Sequence, residues 1–202
     1  MTSETTTPDR IYRSPAGIAG GVVLLALGAW LGFDALVNGD GRTPWLALAG
    51  LLFAVPLVIA FTIRPAVYGN DDRLRVRNPF RMITLPWAAV GGFRSGYSNE
   101  VFDQEGTTYQ LWSIPVSLRA RRRAQRSQMR AETKQARNPS ATVDPPAARP
   151  SADQAMGELR ELCEARAAAA TSQGEPTVRW AYEIIAPALA GAVLLVILIA
   201  LG

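Results

Sequence analysis

The side chains best suited to acid–base chemistry are Glu100, Asp103 and Glu105, three carboxylates within the stretch NEVFDQEG. A carboxylate pair can act as general acid and base when its members are held close together. Beside these three there is no nucleophile, metal-ligand set or glycine-rich phosphate loop, so they read as a charged hairpin turn. The sequence contains no histidine, and Cys163 is its one cysteine. A histidine base, a Ser-His-Asp triad, a Cys/His zinc site and an intramolecular disulfide are therefore excluded. Asp71 and Asp72, in GNDD, could ligate a cation, but two adjacent acids without further ligands fit a solvated turn better. The expectation is a protein that is not an enzyme, with no catalytic residue, cofactor or metal site.

The remaining chemistry is cationic. In SLRARRRAQRSQMRAETKQAR, Arg119, Arg123, Arg126, Arg130, Lys134 and Arg137 are spaced four, three, four, four and three, which places them on one face of a helix. The opposite side offers Ala120, Ala124, Gln128 and Ala131, with Met129 the only large apolar residue after Leu118, too little to insert into a bilayer. Contact with an anionic leaflet would be electrostatic, at about 1 kcal/mol per basic residue. The same charge would attract nucleic acid without specificity, a partner disfavoured because no aromatic residue accompanies the run to read bases. Like charges on one face oppose an isolated helix, and the Pro- and Ala-rich RNPSATVDPPAARPSADQ follows. A solvated, topogenic linker is the favoured reading, anionic-lipid contact the second, and an acidic partner the last.

What positions these groups is a chain whose 49% hydrophobic content is gathered into three blocks. Ala16 to Val37, Pro44 to Ile63 and Trp180 to Leu201 are each about long enough to cross roughly 30 Å of hydrocarbon as helix. The first is too long for a signal-peptide core and is followed closely by the second, which predicts a helical hairpin. Arg10 and Arg13 precede it, Arg42 alone lies in the connection, and the segment from Arg64 to Arg179 is rich in arginine. The positive-inside rule then puts the N-terminus and that segment in the cytoplasm and the C-terminus outside a plasma membrane crossed three times. Gly17, Gly21, Gly28 and Gly32 form a smooth stripe for helix packing, with Ala47, Gly50 and Ala54 of the second block as expected partners and homo-oligomerisation as the alternative. Asp34 and Glu183 stand at span ends, where both can reach water and Glu183 can pair with Arg179 or Arg64.

Between the second and third blocks the period changes to two. LRVRNPFRMITLPW alternates Leu74 and Val76 with arginines, turns at Asn78-Pro79, and resumes with Ile83, Leu85 and Trp87. Strands are expected over 66–68, 73–77, 81–86, 90–93 and 108–114, with turns at GNDD, NP, GG and DQEG. Ser151 can cap a helix over 151–170 whose Met156, Leu159, Leu162 and Cys163 share one face, while Glu158, Arg160, Glu161 and Glu164 lie elsewhere. Cys163 reads as a small core residue.

The stretch RPAVYGNDDRLRVRNPFRMITLPWAAVGGF…YQLWSIP, followed by the GELREL helix, resembles the bacterial pleckstrin-homology-like (PH-like) domain of actinobacterial membrane proteins, a family that includes a mycobacterial low-molecular-weight antigen. The resemblance covers roughly Arg64 to Pro115, with Trp87 and Val90 at strand-end core positions. It implies a seven-stranded barrel closed by one helix. It does not carry over a phosphoinositide site, because the corresponding loop, GNDD, is acidic and would repel phosphate.

The expected architecture is an α+β membrane protein, in which a small antiparallel PH-like β-barrel capped by one C-terminal helix is joined to three transmembrane helices. Residues 1–15 form a cytoplasmic tail, 16–63 a transmembrane hairpin, 64–115 the β-domain, 116–150 a linker or insertion, 151–171 the capping helix and 180–201 the third span. The expected function is a membrane-anchored cytoplasmic binding or scaffold module making protein or anionic-lipid contacts. The alternative is an accessory subunit of a transport or envelope-assembly complex.

Overall fold

A computed structural model describes residues 8–116, 126, 129 and 151–201. The expected 116–150 linker and most of the arginine run therefore lie outside the described residues. Among the described residues three helices are long and apolar enough to cross a membrane: α1 (Pro15–Val37), α2 (Thr43–Val58, continued by a π-helical turn Ile59–Ile63) and a later one, Tyr182–Ala200. Helix α1 starts where the sequence stops the strand before it. Ser14 accepts a hydrogen bond from the Gly17 amide at 3.1 Å, and Pro15 fills the first helical position, where no amide is needed. The π turn follows Pro56, which cannot donate, and ends with Arg64 N donating five residues back to the Ile59 carbonyl.

The described residues hold eight strands: β1 (Arg10–Tyr12), β2 (Ala66–Gly69), β3 (Arg73–Arg77), β4 (Arg81–Pro86), β5 (Val90–Ser95), β6 (Asn99–Asp103), β7 (Thr108–Gln110) and β8 (Thr177–Trp180). Helices α3 (Ser151–Arg166) and α4 (Tyr182–Ala200) lie toward the end of the described residues. The strands form two antiparallel sheets, one ordered β1-β2-β3-β4-β8 and one β5-β6-β7. The hairpin β3–β4 has the expected register, Leu74 opposite Leu85 and Val76 opposite Ile83, with its turn at Asn78-Pro79. Leu74, Val76, Ile83, Leu85 and Trp87 are fully buried, and Met156 and Leu159 of α3 complete the core between the sheets.

The expected barrel does not close. Strand β8, from the segment entering α4, occupies the free edge of β4, and β1, from the segment entering α1, occupies the edge of β2. Both edges that could have met the second sheet are taken. After Pro86, which has no amide to offer, the short helical turn Trp87–Ala89 carries the chain across to β5. The expected turn at GG is a bulge within β5 instead: the register shifts between Val90 and Gly92, Gly92 has φ +152°, and a Cβ there would lie 2.7 Å from the Phe102 ring. The turn proper is Gly96 to Ser98.

Two further boundaries move. Strand β7 ends at Gln110 rather than 114, because Leu111 donates to the Asn99 carbonyl and Ile114 turns back onto Leu111. Helix α3 ends at Arg166 rather than 170, where the Gln173 amide donates to the Ala167 and Ala169 carbonyls.

The helices pack through small residues. Opposite the stripe on α1 stand Leu51, Thr62 and Ile63, while Gly50 of α2 has open space around it. A Cβ at Gly21 would fall 2.7 Å from the Thr62 Cβ, and one at Gly32 would fall 2.5 Å from a Leu51 methyl. On α4, a Cβ at Gly191 would be 2.7 Å from Phe53 Cα, so two helix backbones nearly touch there. Gly20, one residue from Gly21, meets nothing within 4 Å. Gly21→Leu should therefore lower the thermal stability of the detergent-solubilised chain by about 1–3 kcal/mol, the usual cost of overpacking, and Gly20→Leu should leave it unchanged.

Candidate functional site

The β-module is bolted to the helices through the NPF turn of the β3–β4 hairpin. Phe80 packs edge-on against Phe61 at 5.3 Å between ring centres, and Phe61 against Trp112 at 5.5 Å. The Phe80 carbonyl accepts from the Ala181 amide at 2.9 Å, just where β8 becomes α4. Ala60, Ala181 and Ile184 make a small core under this turn, with Ile59 and Phe80 at its rim. Arg64, at the end of α2, is buried there and bonds Glu183 at 2.9 Å. A buried guanidinium needs such a partner, which identifies Arg64 as the partner of Glu183. Asp34 accepts from the Asn38 side-chain amide at 2.8 Å and is in no ion pair among the described residues.

At the opposite end of the hairpin, the GNDD mouth is filled. Asn70 Oδ1 accepts from the Asp72 and Arg73 amides, a turn-forming pattern, and the Asn70 carbonyl takes the Trp87 indole N–H at 2.8 Å. Asp71 pairs with Arg166 at 2.9 Å, and its carbonyl accepts from the Ser172 hydroxyl. The last turn of α3 and the segment after it thus lie over the GNDD loop. Cys163 is half-buried against the core, its sulfur 3.9 Å from the Trp87 carbonyl, and burial pushes its thiol up, with Glu164 adding to the shift.

The three carboxylates do not face one another across a cleft. Glu100 lies on β6, bonded to Arg94 at 2.6 Å and accepting from Ser98. The Ser98 hydroxyl first, and then Arg94, lower its pKa. Asp103 is buried and organises the next turn, accepting from the Glu105 and Thr107 amides and from the Tyr109 hydroxyl. Among the described residues, no three His, Cys, Asp or Glu side chains gather as a metal-holding group. Of the arginine run, Arg126 is described as helical and exposed; Arg119, Arg123, Arg130, Lys134 and Arg137 lie outside the described residues.

The charged surface that the structure does display is the outer face of the five-stranded sheet. Arg73, Arg75 and Arg77 read from the pattern as a plain solvated face. Instead Arg75 pairs with Asp9 and lies over the Tyr68 ring at 5.5 Å, and Arg13 donates to the Tyr68 hydroxyl at 3.3 Å. Burial works to raise the Tyr68 phenol, but hydrogen bonds and charge from Arg13 and Arg77 outweigh it and bring the pKa down. Arg179 faces the same way, paired in register with Met82, which is itself opposite Arg77. The signal for this patch was split between two distant segments, RIYR before α1 and TVRW before α4, and only strand pairing joins them.

These features define a half-open antiparallel β-module, lidded by one helix and continuous with three membrane-length helices. Residues 64–139 match the family model described as Bacterial PH domain. Strands β1 and β8 and the lid α3 lie outside the matched residues. No curated protein and no solved structure matches the chain.

The lid and the first strand are joined by one hydrogen bond, from the Tyr12 hydroxyl to Glu158 at 2.6 Å. Burial, and then Glu158, push the Tyr12 phenol above its ordinary value, and burial with Asp103 does the same to Tyr109. A phenol whose pKa is raised by folding holds its proton where the unfolded chain has lost it. Its contribution is complete below about pH 10, the unfolded value, and is lost as pH rises through the folded one. Tyr12→Phe should cost about 1 kcal/mol at neutral pH and should make the decline of stability above about pH 10 shallower, as read by denaturant unfolding across pH.

Proposed function

We propose that the chain is a membrane-anchored binding or scaffold module, with its β-domain and N-terminus in the cytoplasm and its C-terminus outside. The observation that carries this reading is the shared sheet. Strand β1 leads into α1, β2 follows α2, and β8 leads into α4, yet all three lie in one sheet. If the helices cross the bilayer, these junctions must lie on one side of it. Arginines at all three, Arg13, Arg64 and Arg179, make that side the cytoplasmic one by the positive-inside rule.

A binding role is supported by the family match and by what occupies the candidate catalytic carboxylates, which are committed to their own hairpins. The second reading, an accessory subunit docking to another membrane protein, is supported by Tyr97, which is 99% exposed at the tip of the β5–β6 hairpin. Co-purification in mild detergent separates the two, a stoichiometric partner favouring the subunit.

A reporter enzyme active only outside the cytoplasm should work when fused after residue 201 and should be silent when inserted between residues 116 and 150. Activity at the internal site, or silence at the C-terminus, would overturn the orientation.

A further inference from the structure

We propose that the outer face of the five-stranded sheet binds the phosphate of an anionic glycerophospholipid, held between Arg13 and Arg77 with Arg179 further along the same row. The inference rests on the reading that α1, α2 and α4 span the membrane, and it assigns the lipid contact to the sheet rather than to the arginine run.

Depth is fixed by the chain itself. Ala66, paired with Arg77, lies three residues beyond the π turn ending at Ile63. Arg13 stands two residues before Pro15, and Arg179 three before Tyr182. At about 3.3 Å per strand residue, all three arginines sit within about 10 Å of a helix end. The headgroup layer beyond the hydrocarbon is roughly 6 Å thick, and an arginine stem spans the remainder. The patch is thus held at phosphate depth by three separate strand–helix junctions.

Charge points to an anion. Neighbouring strands are about 4.8 Å apart, so Arg13, in line with β1, and Arg77, on β3, stand on either side of Ala66 of β2, two residues from Tyr68 on the same face. Arg13 donates to the Tyr68 hydroxyl, a neutral acceptor that does not balance its charge. The nearby acids are engaged elsewhere, Asp9 with Arg75 and Glu183 with Arg64. Among the described residues none of Arg13, Arg77 and Arg179 has a carboxylate within ion-pair distance. Two guanidinium groups side by side on one sheet face, neither in an ion pair among the described residues, form a fork for phosphate oxygens. Exposed Tyr182, at the start of α4, adds an amphipathic ring of the kind that settles at this depth.

Native mass spectrometry of the full chain in mild detergent, with phosphatidylglycerol or phosphatidylcholine added, tests the site. The wild type should retain phosphatidylglycerol in preference to phosphatidylcholine. Arg13→Gln with Arg77→Gln should weaken that retention roughly thirtyfold, at about fivefold per arginine. The Arg13→Lys, Arg77→Lys pair should keep most of it, and so should a chain with Arg119, Arg123, Arg126, Arg130, Lys134 and Arg137 all changed to Gln. If the Arg13→Gln, Arg77→Gln chain fails to fold, exposed Arg13→Gln alone should still show the fivefold loss.

Unchanged retention in the Gln pair would overturn the inference, as would loss of retention only when the run is neutralised. The latter outcome would leave the anchored binding module standing with its lipid contact moved. Complete displacement of the lipid by excess inorganic phosphate would make this a soluble-phosphate site and overturn the lipid assignment. No preference for phosphatidylglycerol in the wild type would also overturn it, while the reporter fusions decide independently whether the anchored reading survives.

Discussion

Backbone hydrogen bonding at two sheet edges sets the form of this protein. A three-strand meander such as β2-β3-β4 leaves two rows of unpaired amides and carbonyls, a cost in solubility that folded sheets must manage. Here both rows are satisfied by the segments that enter helices: Arg10 to Tyr12 on β2, and Thr177 to Trp180 on β4. The β-module is therefore not a bead on a flexible string. Its edges and its tethers are the same residues, and its orientation on the helices follows from strand pairing.

The side chains at the junction reinforce what the backbone begins. Phe61, Phe80 and Trp112 stack edge-on between the end of α2, the hairpin turn and the chain after β7, while Ala181 bonds the Phe80 carbonyl beside them. Arg64 enters this small core with Glu183 as its counter-charge. Away from the helices, the far end of the same hairpin is fixed by the lid through Asp71–Arg166, Ser172 and the Trp87 indole. One hairpin thus carries the helix junction at one end and the lid contact at the other. Its buried face, Leu74, Val76, Ile83 and Leu85, forms the core between them.

Much of this was legible where the pattern is local. The alternation in LRVRNPFRMITLPW gives β3, β4, their turn and their core residues, and apolar length gives the three long helices. Strand β6 was not legible because its buried positions include Asn99 and Asp103, polar residues that are buried only because their partners are already in place. Asn99 bonds the Ile114 carbonyl, and Asp103 ties down three donors of its own turn. Strands β1 and β8 were hidden for another reason. Each is three or four residues long and continues into an apolar block, so its period is lost at the boundary, and its partner lies far away in the chain. The barrel implied by resemblance fails on the same two strands. The sheet-face arginines looked solvated because no sequence rule brings Arg13 beside Tyr68.

The two edge strands also impose an order on biosynthesis. β1 is made before the other strands of its sheet and β8 after them, just ahead of α4. Once β2 is made β1 can pair with it, while β4 waits with an open edge that is closed only as α4 begins to form. Completion of the sheet and placement of α4 become one step. A polypeptide cut short before Thr177 would keep its core sequence intact and would leave β4 with a bare edge open to other strands.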